Sequence, residues 1–352
     1  MSRVAIIDQD TAADLRSRIA AKVLMPQEAI LPFTDFTDLM TQLLTYADGD
    51  GRRVITVGYV SADVAIAADR ASVALTESHG ASPFAGDSDQ AIQTIRTGSE
   101  LVYVGNPNRV TGANFGLTDL RRMSEAVPDG LLVVDEHYFD FYGITALSLP
   151  SELDNVIVIR SLTAPFGVGT SEAGYVVANP ERIEMLGEQF DWSRISSTVY
   201  KILNTTLSNR DALTMRLKNI QDESLRLANT LSKRGIQTRI SATDFVLIRV
   251  GQPRRVQSFL GRHQVQVENL DDTAVLQNYV RYRVQSKTSN DRLLKAFQRM
   301  PEDCYHIEKT DFRELRLHRP QESRADAELP ARVAVRRAIM HTAREADTGR
   351  RR

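Results

Sequence analysis

Five short apolar runs recur through the first half of the chain and constrain its fold more than any other feature. They are Val54-Ile55-Thr56-Val57, Ser72-Val73-Ala74-Leu75, Leu101-Val102-Tyr103-Val104, Leu131-Leu132-Val133-Val134 and Asn155-Val156-Ile157-Val158-Ile159. Runs of this length with little polar alternation suit strands buried on both faces, as in a parallel sheet covered by helices. The stretches between them, such as 88–97 and 117–126, are long enough for crossover helices. Ahead of the first run, Thr11 is a predicted cap for a helix carrying Leu15, Ile19 and Val23 on one face. A second helix is expected from about Thr34, with Leu39, Leu43 and Leu44. The series reads as an α/β fold.

After residue 190 the pattern changes. Leu213, Leu217, Ile220, Ser224, Leu227 and Leu231 recur at steps of four and three, one face of a long helix. Gly235 suits the position past its end. Short strands are expected at 237–240, 245–250, 265–268 and 279–284, with a helix near 291–300. These make a smaller α+β lobe. The expected divisions are a helical segment over 1–48, a large α/β domain over 49–205, a small α+β domain over 206–310 and a charged tail over 311–352. Val333, Ile339 and Met340 are compatible with a last amphipathic helix in that tail.

Composition excludes several classes. Lys+Arg 44 against Asp+Glu 45 gives a formal charge of -1, which asks for neither nucleic acid nor an anionic membrane. The single cysteine, Cys304, supplies neither an internal disulfide nor a thiolate cluster, and the scattered histidines give no metal site. No apolar run is long enough to cross a bilayer. A cytoplasmic protein of 352 residues is expected.

Chemistry concentrates in three loops at the ends of expected strands, where open α/β sheets form their crevices. They are Gly105-Asn106-Pro107-Asn108-Arg109-Val110-Thr111-Gly112, then Val134-Asp135-Glu136-His137-Tyr138, then Arg160-Ser161-Leu162-Thr163-Ala164-Pro165-Phe166-Gly167 before Gly174-Tyr175. In this order the loops resemble those of the fold-type I aminotransferases, within them the histidinol-phosphate aminotransferase-like class. A later segment, Val280-Arg281-Tyr282-Arg283-Val284 through Asn290-Asp291-Arg292-Leu293-Leu294, is similar to another stretch of that family. The resemblance covers about residues 15–300 and implies the aminotransferase fold and a dimer.

It also implies site residues. Asp135 matches the partner of the pyridine nitrogen of pyridoxal phosphate, Tyr138 a partner of its ring hydroxyl, and Arg281 the arginine that grips a substrate carboxylate through its bidentate fork. The family's lysine, which forms the Schiff base and shuttles the substrate proton, is matched by Ala164. The phosphate-binding arginine is matched by Glu172, and the asparagine beside the ring hydroxyl by Arg109. The stretch matched to the phosphate cup is Gly58-Tyr59-Val60-Ser61-Ala62-Asp63, with Val60 in place of a second glycine. Two opposite unit charges about 4 Å apart attract by roughly 4 kcal/mol at an effective dielectric near 20, so an arginine-to-glutamate change there weakens phosphate binding strongly.

These departures lead to the expectation that transamination is lost and that no cofactor is held, with pyridoxal phosphate disfavoured. In the first reading the crevice performs a cofactor-independent reaction on a small carboxylate or amino-acid-derived metabolite. Asp135, His137 and Tyr138 would then move protons, and Arg281, Arg109, Glu172 and Asn108 would bind substrate. Asp135 and His137, two apart on a strand, would share a face and could act as a base pair. The alternatives are a non-catalytic partner of an active paralogue and an enzyme that binds pyridoxal phosphate non-covalently with His137 as base. A homodimer is expected for an independent role.

Overall fold

The computed structural model describes residues 9–166, 173–189, 197–270 and 274–307. The expected tail and Glu172 lie outside the described residues.

Helix α1 (Gln9–Val23) buries Leu15 and Ile19, as their spacing predicts. The chain then forms an edge strand, β1 (Ile30–Phe33), where the sequence reading had a wholly helical segment. Four consecutive buried residues, with Pro32 tolerated because only one side of the strand is paired, make a strand too short to leave a period. Helix α2 (Phe36–Gly49) starts at Asp35, whose carboxylate accepts from the Asp38 N–H at 3.0 Å.

Then come β2 (Val54–Val57), α3 (Ala62–Ala71), β3 (Leu75–Ser78), α4 (Ser88–Thr94), β4 (Leu101–Gly105) and α5 (Leu117–Glu125). They are followed by β5 (Leu131–Asp135), α6 (Phe139–Tyr142), β6 (Val156–Ser161) and β7 (Gly174–Val177). The strand expected at 72–75 begins three residues later, because Ser72, at φ 57°, is the left-handed cap that ends α3.

These strands form one seven-stranded sheet in the order β1-β7-β6-β5-β4-β2-β3, with β7 antiparallel to both neighbours. The apolar runs do not alternate because both faces are covered. Ile55, Val102, Val104, Leu132, Val134 and Val158 face one core, and Val54, Leu101, Tyr103, Leu131, Val133 and Ile157 the other.

Helices α7 (Pro180–Gln189), α8 (Ser197–Ser208) and α9 (Arg210–Ser232) follow. Helix α9 buries Ile220, Ser224, Leu227 and Leu231 and is followed by Gly235 at φ 73°. Next are β8 (Thr238–Ile240), β9 (Phe245–Arg249), α10 (Pro253–Arg262), β10 (Glu268–Asn269), β11 (Tyr279–Arg283), α11 (Lys287–Arg299) and α12 (Glu302–Tyr305). The four strands make an antiparallel sheet, β10-β11-β9-β8, whose core includes Leu227, Phe245, Val280, Tyr282 and Phe297. Among the described residues no helix is long and apolar enough to cross a membrane, and no group of three or more His, Cys, Asp or Glu could hold a metal ion.

Candidate active site

The C-terminal ends of β4 and β5 lie side by side, with Gly105 opposite Asp135, so the loops that follow share one crevice. Asp135 is fully buried there. Its Oδ2 accepts from Arg109 Nε at 2.6 Å and from the Tyr103 hydroxyl at 2.7 Å. Its Oδ1 accepts from the His137 backbone N–H at 3.1 Å. A carboxylate taken out of water is tolerated only with such partners. Arg109 is 7% exposed at the side chain, and its guanidinium carbon lies 3.8 Å from the centre of the Phe36 ring. Its Nη1 also reaches Asp63 Oδ2, in the first turn of α3, at 3.4 Å.

The loop presenting Arg109 is built by asparagines. Asn106 Oδ1 accepts from the Phe115 N–H at 2.8 Å. Asn108 Oδ1 accepts from the N–H groups of Val110 and Thr111, both at 3.0 Å, while its Nδ2 donates to the Tyr59 carbonyl at 2.9 Å. Asn108, expected to contact substrate, therefore has its amide engaged in holding the turn and pinning it to the end of β2.

Strand β5 ends at Asp135, so the alternation expected to pair Asp135 with His137 does not extend that far. His137 sits in the turn beyond, linked to Asp135 through its backbone, with its ring edge-on to Tyr138 at 4.6 Å. Burial, reinforced by Arg109, Arg283 and Arg281, holds its imidazole well below the usual range, so it is neutral at pH 7. Tyr138 is buried against Phe141 and Phe245, and burial pushes its phenol far above the ordinary value. It stays protonated, a hydrogen-bond donor and not a base. Glu136 points elsewhere: Arg160 Nε donates to it at 2.8 Å, and Thr145 Oγ1 at 2.9 Å, in a structural pair between β5 and β6.

Arg281 comes from the second sheet. Its Nε donates to Glu268 at 2.7 Å and its Nη1 to the Arg109 carbonyl. With Tyr138, Phe245, Gln266, Arg283 and Gln285 it lines a cavity of about 620 Å³. The structure thus brings Asp135, His137, Tyr138, Arg109 and Arg281 into one neighbourhood, and gives Asn108 a role in the loop. Ala164 opens a short turn after β6, its N–H on Ser161 Oγ at 3.0 Å.

Sequence reading missed Tyr103 and Phe36, and it gave Asp63 only as the end of the stretch matched to the phosphate cup, not as a partner of Arg109. Tyr103 lay in an apolar run read as core. The available signal was the pleat, since Tyr103, two residues before Gly105, shares the face that Gly105 presents beside Asp135. Phe36 and Asp63 come from separate helices, and no local spacing relates them to residue 109.

Comparison with known proteins gives a family model, aminotransferase class I and II, that matches residues 2–299. A histidinol-phosphate aminotransferase of Thermoanaerobacter sp. (strain X514) is 30% identical over 216 residues, 61% of each chain. An aromatic amino acid aminotransferase of Mycobacteroides abscessus is 27% identical over 244 residues, 68% of this chain and 70% of the relative. The chain spans about three fifths of the length of the first of these curated relatives. Among solved structures, a histidinol-phosphate aminotransferase from Sinorhizobium meliloti in complex with pyridoxal-5'-phosphate superposes with a TM-score of 0.74 at 17% identity, covering 83% of this chain and 81% of that one.

These matches overturn the expectation of a crevice without cofactor. The family is the one whose chemistry runs on pyridoxal phosphate, and the Sinorhizobium meliloti relative holds it. Two observations on this chain fit the group. Asp135 offers a buried acceptor at a strand end for a ring nitrogen, with Arg109 now donating to it. Ser61 Oγ, at the N-terminus of α3, is buried without a hydrogen-bond partner and is placed to donate to an anion.

Proposed function

Because this chain belongs to the class I and II aminotransferase family, we propose that it binds pyridoxal phosphate non-covalently and acts on an amino-acid-like carboxylate, with no lysine at the Ala164 position. The buried Asp135, joined to His137 and reached through Arg109 from Arg281, is the observation that carries this reading. When bound, pyridoxal phosphate supplies an electron sink for bonds broken next to an amino nitrogen. The residues of the chain do the rest. Asp135 holds the proton of a ring nitrogen by hydrogen bond. Arg281 exchanges Glu268 for the substrate carboxylate, its fork matching two oxygens. The Ala164 methyl can take no proton, and neutral His137 is the acceptor within the crevice. Burial, and after it three arginines, disfavour its imidazolium, so a proton taken there is quickly returned.

The test is to load the protein with excess pyridoxal phosphate, desalt it, and divide it between borohydride reduction and plain denaturation. The expected result is near-stoichiometric visible absorbance that denaturation releases completely, with no mass added by borohydride. A borohydride-fixed adduct would transfer the anchoring role to another lysine, and a colourless protein would remove the reading.

A further inference from the structure

Arg109 reproduces, from within the chain, three properties of a protonated pyridine ring. It is planar and cationic, it donates to Asp135 Oδ2 at 2.6 Å, and its central carbon stands over an aromatic ring, 3.8 Å from the centre of Phe36. It also spans from Asp135 to Asp63 in the first turn of α3, the side on which Ser61 Oγ stands without a partner. We propose that the Arg109 guanidinium is a resident competitor for the ring-binding slot, so that cofactor enters by displacing it from Asp135 and Phe36.

This rests on the reading above, that the crevice takes pyridoxal phosphate, and adds which residue sets its affinity. Asp135 Oδ2 already accepts from both Arg109 Nε and the Tyr103 hydroxyl, so a ring nitrogen takes the place of one of them. The arginine is the one to move. Tyr103 belongs to a strand paired on both sides, whereas Arg109 sits on a loop beyond the end of β4. The loop is held by Asn106, by Asn108 and by the Arg281 bond to the Arg109 carbonyl, none of which uses the Arg109 guanidinium, so it keeps its shape when that side chain swings out.

Removing Arg109 alone would leave Asp135 and Asp63 uncompensated and repel a phosphate. The informative variant is therefore the charge-neutral double change, Asp63→Asn with Arg109→Ala, which adds no hydrogen-bonding group, compared with Asp63→Asn alone. Pyridoxal phosphate is titrated into each and followed by visible absorbance. The double variant is expected to bind at least about tenfold more tightly than the single one, the scale of one charge-assisted hydrogen bond released from competition. Equal or weaker binding by the double variant overturns the competitor role while leaving the cofactor reading in place. Absence of binding in wild type and both variants overturns the two together.

A second measurement covers loss of stability on truncation. In Arg109→Ala, free guanidinium at millimolar concentration should occupy the vacated slot, raise the melting temperature and weaken pyridoxal phosphate binding, with neither effect in wild type. Guanidinium that does neither in the variant overturns the proposal.

Discussion

His137 ties the acid stability of the protein to its crevice. In an unfolded chain an imidazole takes up a proton below about pH 6.5. In the folded chain, burial and then Arg109, Arg283 and Arg281 keep His137 neutral well below that. Between these limits the unfolded chain holds more protons, so stability falls as pH drops and is unaffected above about pH 7. The slope from this one residue approaches ~1.4 kcal/mol per pH unit. His137→Asn should therefore be less acid-sensitive than wild type. Urea unfolding of both at about pH 7.5, 6.5 and 5.5 should give a stability difference that shifts toward the variant in acid. A constant difference would mean that the folded protein charges His137 as readily as the unfolded one.

Strand β7 depends on a residue without a side chain. A Cβ on Gly174 would lie 1.9 Å from the Arg160 carbonyl oxygen and 2.9 Å from Phe33 Cζ, the first on β6 and the second on β1. Gly174→Ala should therefore cost about 1–3 kcal/mol or more, through overpacking between strands that are themselves fixed. The midpoint of denaturant unfolding measures it, and an unchanged midpoint would show that β7 can shift away. The same region shows what sequence could and could not reveal. The runs at 54–57, 101–104, 131–134 and 155–159 were legible as strands because doubly buried strands are uniformly apolar. Strand β1 was not, since Ile30-Leu31-Pro32-Phe33 is too short for a period and its proline argues against a strand until an edge is known. The crevice was legible in its loops, through Asp135, Arg109 and Arg281. What fills it was not. That Arg109 turns inward onto Asp135 depends on Phe36 and Asp63, brought by helices remote in sequence, and the fate of the Asn108 amide depends on how tightly its loop closes.

At the scale of the whole described molecule, the two sheets meet at the site through Tyr138 packed on Phe245 and through the Arg281 guanidinium on the Arg109 carbonyl, 172 residues apart in sequence. One end of this bond lies in β11 of the four-stranded sheet, the other in the loop after β4 of the seven-stranded sheet. A charged donor on a carbonyl is worth about 1.5–3 kcal/mol, and here its loss releases a loop, not a core element. Arg281→Ala should thus lower global stability modestly while opening a local unit. Hydrogen exchange of wild type and variant tests this, with faster exchange expected both at 279–283 and, across the sequence gap, at 106–112. The core amides of β5 should keep their protection. Faster exchange confined to 279–283 would mean that the asparagine bonds alone hold the loop and that the sheets are not coupled through this contact. If both segments respond, a carboxylate that draws Arg281 away from the Arg109 carbonyl also loosens the loop carrying the arginine on Asp135. Substrate and cofactor binding would then be linked through two arginines.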